Sequence, residues 1–159
     1  MTPDEFLKKY GDAFVVACEG TGIFPSVKIA QAALETGWGK HIVGNNLFGI
    51  KATGTHTPYW HGDYVNAATN EYDSNGNLVA QNSNFRKYAT VADSIRDHNL
   101  LLINEKRYAD VLKSKTPEDQ AKALQDAGYA GRYNKTYANS LLNIINGRNL
   151  KKYDQKKKS

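Results

Sequence analysis

The stretch between Pro25 and Gly37 constrains this chain most. Val27, Ala30, Ala33 and Leu34 recur at helical spacing. Pro25 suits a first helical turn, where its missing N–H would have no partner, and Gly37 suits the left-handed residue just past a last turn. The pattern predicts a helix from about Pro25 to Thr36 that ends on a carboxylic acid, Glu35. In the last turn the helix dipole presents negative charge, and Trp38 is close enough to supply an apolar wall. Both features disfavour the ionised carboxylate and raise its pKa, and a carboxyl that keeps its proton near neutral pH can serve as a general acid. A solvated glutamate with no role fits the same position, so placement alone leaves both readings open.

At 159 residues the chain is expected to form one domain, with enough core to need neither metal nor disulfide. Its single cysteine, Cys18, lies in an apolar run and excludes an intrachain disulfide. No apolar run approaches membrane-spanning length, and Met1–Phe6 lacks the basic start and apolar core of an export signal. The expectation is a monomer, with no membrane insertion, that reaches its target by another system or as part of a longer protein. Residues 151–159 carry +4 of the net +5 charge and are read as a basic, disordered tail after a domain over 1–150. Nucleic-acid readers usually spread basic residues over a face, so charge concentrated in a tail argues against that partner.

Thr2 or Asp4 can cap a first helix carrying Phe6, Leu7, Tyr10, Phe14, Val15 and Cys18. After a loop rich in glycine and aromatics, residues 63–88 change period, and Asn75-Gly76 marks the turn of a β-hairpin. Thr90 and Thr116 look like caps of two further helices, and Tyr137, Leu141, Leu142, Ile144 and Ile145 belong to a last one that stops near Gly147.

Ala32-Ala33-Leu34-Glu35-Thr36-Gly37-Trp38-Gly39, followed by Asn46-Leu47-Phe48-Gly49-Ile50-Lys51, resembles the paired signature of the glycoside hydrolase family 73 glucosaminidase domain. That family includes bacterial autolysins, flagellar peptidoglycan hydrolases and phage lysins. The resemblance extends, more weakly, to about Gly147. It implies an α+β, lysozyme-like fold in which a cleft separates a mainly helical lobe from a small β-hairpin lobe.

It also implies roles. Glu35 would protonate the leaving oxygen. Glu71 matches a hairpin glutamate that matters in relatives, where it would activate water or stabilise the oxocarbenium-like transition state; Asp63 and Asp73 compete for that role. Alternatively the substrate's own N-acetyl group attacks the anomeric carbon, held by a tyrosine. Tyr129, in Gly128-Tyr129-Ala130, matches the family's functional tyrosine better than Tyr137, whose helical spacing with Leu141 and Ile144 suits the core. Where the family continues Thr-Asp, this chain has Gly131-Arg132. Trp38, Phe48, Tyr59 and Trp60 could stack on sugar rings, Tyr137 could line the site, and Asn46 and Lys51 would order the loop beside Glu35.

His41, His56, His61 and His98 match no zinc spacing, and no metal or cofactor is expected. The reading is therefore an endo-β-N-acetylglucosaminidase whose partner is the peptidoglycan glycan strand in the periplasm or outside the cell. Muramidase or lytic transglycosylase action on the same strand, or a non-catalytic wall-binding module, are the alternatives.

Overall fold

The computed structural model describes residues 1–155. The expected basic run at 156–159 lies outside them. Helix α1 (Pro3–Cys18) opens with a capping box, in which the Thr2 hydroxyl accepts from the Glu5 amide and the Glu5 carboxylate accepts from the Thr2 amide. Helix α2 (Pro25–Thr36) has the bounds its sequence signals set. Strands β1 (Tyr64–Tyr72) and β2 (Leu78–Arg86) pair antiparallel in the register Tyr64↔Arg86 to Tyr72↔Leu78. Helix α3 (Val91–Asn104) follows, capped by Thr90. A single 3-10 turn (Lys106–Tyr108) leads into α4 (Ala109–Leu112), then α5 (Pro117–Asp126), α6 (Tyr137–Gly147) and α7 (Lys152–Gln155).

Helix α2 runs through the middle of the helical lobe, packed by α1, α5, α6 and α7. Val27, Ile29, Ala30 and Ala32 are fully buried in one continuous core with Phe6, Phe14, Ile95, Leu102, Leu141 and Ile145. That surround explains why α2 is apolar on more than one stripe. No side chain of its own caps its N-terminus. The cap comes from α7, whose Asp154 accepts from the Ser26 amide at 2.8 Å and the Ser26 hydroxyl at 2.6 Å. A carboxylate there also meets the positive end of the helix dipole. This is why Lys152–Gln155, expected within the disordered tail, form a helical turn instead, with Tyr153 buried over Gly11.

The hairpin departs from this lobe. Val65, Ala67, Thr69 and Glu71 form the less exposed face of β1, and Tyr64, Asn66, Ala68, Asn70 and Tyr72 the open one. Asp73 shapes the turn: its Oδ1 accepts from the amides of Asn75 and Asn77, both at 2.9 Å. Its Oδ1 is thereby committed to shaping the turn. The loop 43–52 is zipped onto the end of β2 through Ala52 N–H to Asn84 O at 2.8 Å and Arg86 N–H to Ile50 O at 2.9 Å.

Candidate active site

Glu35 stands on a rigid helix end. Gly37 closes α2 in the left-handed conformation, and the buried Thr36 hydroxyl donates to Ala32 O at 2.7 Å and accepts from the Gly39 amide at 2.9 Å. The glutamate opens onto a groove with two recesses. One, of about 170 Å³, runs to the hairpin and is lined by His41, Val43, Asn46, Ala67, Thr69 and Phe85. The other, of about 240 Å³, runs toward α6 and is lined by Gln31, Leu34, Phe48, Gly49, Tyr129 and Tyr137. Glu35 lines both.

The carboxyl faces solvent on the groove side while protein packs around its other flank, and among the described residues it has no hydrogen-bond or ion-pair partner. That one-sided desolvation lifts it above the ordinary carboxylate value. The apolar wall is not the expected one. Trp38 has φ 59° and packs edge-on against Phe6 at 5.7 Å, with the Arg148 guanidinium 5.8 Å from its ring centre. Leu34, Val43, Phe48 and Phe85 form the wall instead.

The loop carrying the second motif is organised by Asn46. Its Nδ2 donates to Ile50 O at 2.9 Å and Arg86 O at 3.1 Å, and its Oδ1 accepts from the amides of Phe48 at 3.1 Å and Ile50 at 3.3 Å. Asn46→Ala would remove four hydrogen bonds at a site 5 % exposed and leave the Phe48 and Ile50 amides without their acceptor. An unmade buried hydrogen bond is costly, and the expected loss is about 3 kcal/mol in denaturant unfolding. This loop turns at Gly49 (φ 65°), where a Cβ would lie 2.5 Å from Glu35 Oε1. A side chain at this position would not fit beside the acid without a shift.

Glu71 lies on the groove-side face of β1, two residues beyond Thr69, about 7 Å further along the strand. Lys51 forms an ion pair with it and Gln81 donates to it. Asp63 is exposed, its carbonyl taken by Lys87 N–H and the Trp60 indole N–H. Trp60 is not open to a sugar ring: it is 3 % exposed, under the Arg86 guanidinium at 4.0 Å. Arg86 in turn pairs with the buried Asp97 at 2.8 Å, which also accepts from Thr57 and Tyr88. Tyr59, half-buried in the same loop, is not part of the groove lining.

Tyr129 and Tyr137 stack at 5.5 Å with 26° between their planes. The Tyr137 hydroxyl accepts from Gln31 Nε2 at 3.1 Å. Burial, helped by the Glu35 charge, pushes both phenols above their usual value, so both keep their protons. The structure therefore brings Glu35, Phe48, Tyr129 and Tyr137 to one recess, with Asn46 lining the other and Lys51 on Glu71. Sequence reasoning missed Gln31 and Lys28, one and two helical turns before Glu35 on the same face of α2. The available signal was a polar pair inside an otherwise apolar helix. No group of three or more His, Cys, Asp or Glu among the described residues is placed to hold a metal ion.

An acid at a helix end facing a β-hairpin across a groove defines a lysozyme-like glycoside hydrolase domain. Residues 11–150 match the Glucosaminidase family, described as mannosyl-glycoprotein endo-β-N-acetylglucosaminidase. The chain is 36 % identical over 137 residues to the peptidoglycan hydrolase FlgJ of Escherichia coli, covering 82 % of this chain and 42 % of that protein. It is 34 % identical over 141 residues to the exo-glucosaminidase LytG of Bacillus subtilis, covering 84 % and 47 %. The catalytic domain of the autolysin Auto from Listeria monocytogenes superposes with TM-score 0.80 at 32 % identity, over 96 % of this chain and 87 % of that one. The chain belongs to the glucosaminidase family, and it spans less than half the length of these two curated relatives. No helix among the described residues is long and apolar enough to cross a membrane.

Proposed function

We propose that this domain hydrolyses the glycan strand of peptidoglycan after N-acetylglucosamine, in the periplasm or outside the cell. The observation that carries the reading is the Glu35 carboxyl: partly desolvated, without a hydrogen-bond partner among the described residues, and open to a groove between two lobes. Such a group holds its proton until the leaving oxygen of a bound strand comes within reach. An open groove suits a chain substrate that must lie across the acid. The relatives' activities, a peptidoglycan hydrolase and an exo-glucosaminidase, point the same way.

Two routes can follow proton donation. Glu71, held by Lys51 and Gln81 on the facing strand, would act through a water, since its offset along β1 suits a base better than a nucleophile in contact. Alternatively the substrate N-acetyl group attacks the anomeric carbon while the Tyr129 hydroxyl donates to it. Tyr129 shares its recess with Glu35, which favours this second route. Phe48 and Tyr137 supply flat faces in the same recess.

Digestion of purified peptidoglycan, borohydride reduction and mass spectrometry test the reading. Reduced N-acetylglucosamine ends are expected. Reduced muramic ends would make the domain a muramidase, anhydromuramic ends a lytic transglycosylase, and intact strands retained by the protein a wall-binding module.

A further inference from the structure

Behind the α6-side recess lie two buried polar groups that the reaction above does not use. Lys28 is 0 % exposed and His98 1 % exposed. The Lys28 ammonium contacts His98 Nδ1, and His98 Nε2 lies 2.7 Å from the Tyr129 hydroxyl. The imidazole is locked by stacking on Phe48 at 4.1 Å and 9°, and meets the Tyr129 ring edge-on at 5.6 Å. Lys28 lies 5.0 Å from the Phe48 ring centre and has Cys18 as its other polar neighbour. Three polar groups in line, with no carboxylate among them, form a costly thing to bury.

We propose that Lys28 and His98 are positioning residues that fix the direction of the Tyr129 O–H, so that it donates into the Glu35 recess. Burial lowers the Lys28 ammonium to about 7, and below that value the side chain has only donors. Donating to Nδ1 leaves the imidazole proton on Nε2, and that N–H donates to the Tyr129 oxygen. With its oxygen occupied as an acceptor from His98, the phenol has its own hydrogen free, and the open direction is the recess shared with Gln31, Glu35 and Tyr137. Without the lysine, His98 can hold its proton on Nδ1 and accept from Tyr129 instead, which withdraws the donor from the substrate. The inference rests on the Tyr129 role proposed above.

A double-mutant cycle on soluble glycan strands of defined length tests it. Tyr129→Phe is expected to lower kcat about 10- to 100-fold, as for loss of one donor to the reacting centre, with a smaller change in KM. Lys28→Met, an apolar replacement of similar length, is expected to lower kcat comparably. In the Tyr129→Phe background it is expected to cost less than about twofold, because the two act as one unit. His98→Gln, which keeps an acceptor and a donor, is expected to retain more activity than His98→Leu. Additive losses, or full activity of Lys28→Met beside an impaired Tyr129→Phe, would overturn the proposal. Full activity of Tyr129→Phe would instead overturn the Tyr129 role beneath it. Nitrogen-15 NMR of the unmutated protein below the Lys28 value of about 7 gives a reading free of any folding defect: His98 is expected as the Nε2–H tautomer, and an Nδ1–H signal would refute the chain.

Discussion

Glu35→Gln is expected to lower the rate of peptidoglycan cleavage about 10²- to 10⁴-fold, the usual worth of a positioned general acid, and at the same time to raise thermal stability. The two effects share one cause. Desolvation holds the Glu35 carboxyl above the value of 4.5 it would have in the unfolded chain. Between those two values the folded state binds the proton more tightly than the unfolded state. Stability is then full below the unfolded value and falls as pH rises through the folded value. At pH 7, above the unfolded value, the desolvated carboxyl therefore costs stability, and the neutral amide removes that cost. Melting curves of both proteins check the sign: Glu35→Gln should gain at pH 7 and lose that gain near about pH 4. Catalysis gives the matching limb, because only the protonated acid donates. Cleavage should fall as pH rises through the Glu35 value, and the residual activity of Glu35→Gln should lack that fall. Undiminished reducing-sugar release from the variant would remove Glu35 from the mechanism.

The scaffold that holds Glu35 was readable because its boundaries are set locally. Pro25 and Gly37 mark α2, Thr90 and Thr116 mark α3 and α5, and Asn75-Gly76 fixes the hairpin register. Each signal acts within a few residues of itself. What could not be read depends on partners far along the chain. Trp60 looks like any loop aromatic until Arg86 covers its face. Trp38 sits next to the acid in sequence, yet its positive φ carries it to Phe6, more than thirty positions away. Asp154 lies in a lysine-rich end that reads as solvated, and only the three-dimensional structure supplies the bare α2 N-terminus that it caps. Lys28 is the sharpest case. A lone lysine in an apolar helix carries no local clue to what faces it, and His98 is 70 positions away.

Gly49→Ala should separate the geometry of the acid from its chemistry. At φ 65° an L-residue is strained, and the expected backbone cost is about 1–2 kcal/mol. Gly20 provides the control: it has φ 71° with nothing within 4 Å of an added Cβ, so Gly20→Ala should destabilise the protein by a similar amount and leave cleavage intact. At Gly49 the added methyl would also stand 2.5 Å from Glu35 Oε1 and 3.2 Å from its Cδ. The loop backbone is held by the four bonds of Asn46, so the flexible glutamate must yield. A displacement of about 1 Å of a reacting group can cost on the order of 10²-fold in rate. Gly49→Ala should accordingly lose about 10²-fold in kcat while melting only as early as Gly20→Ala does. Equal activity of the two variants would mean that the contact between the Asn46 loop and the acid does not aim the proton.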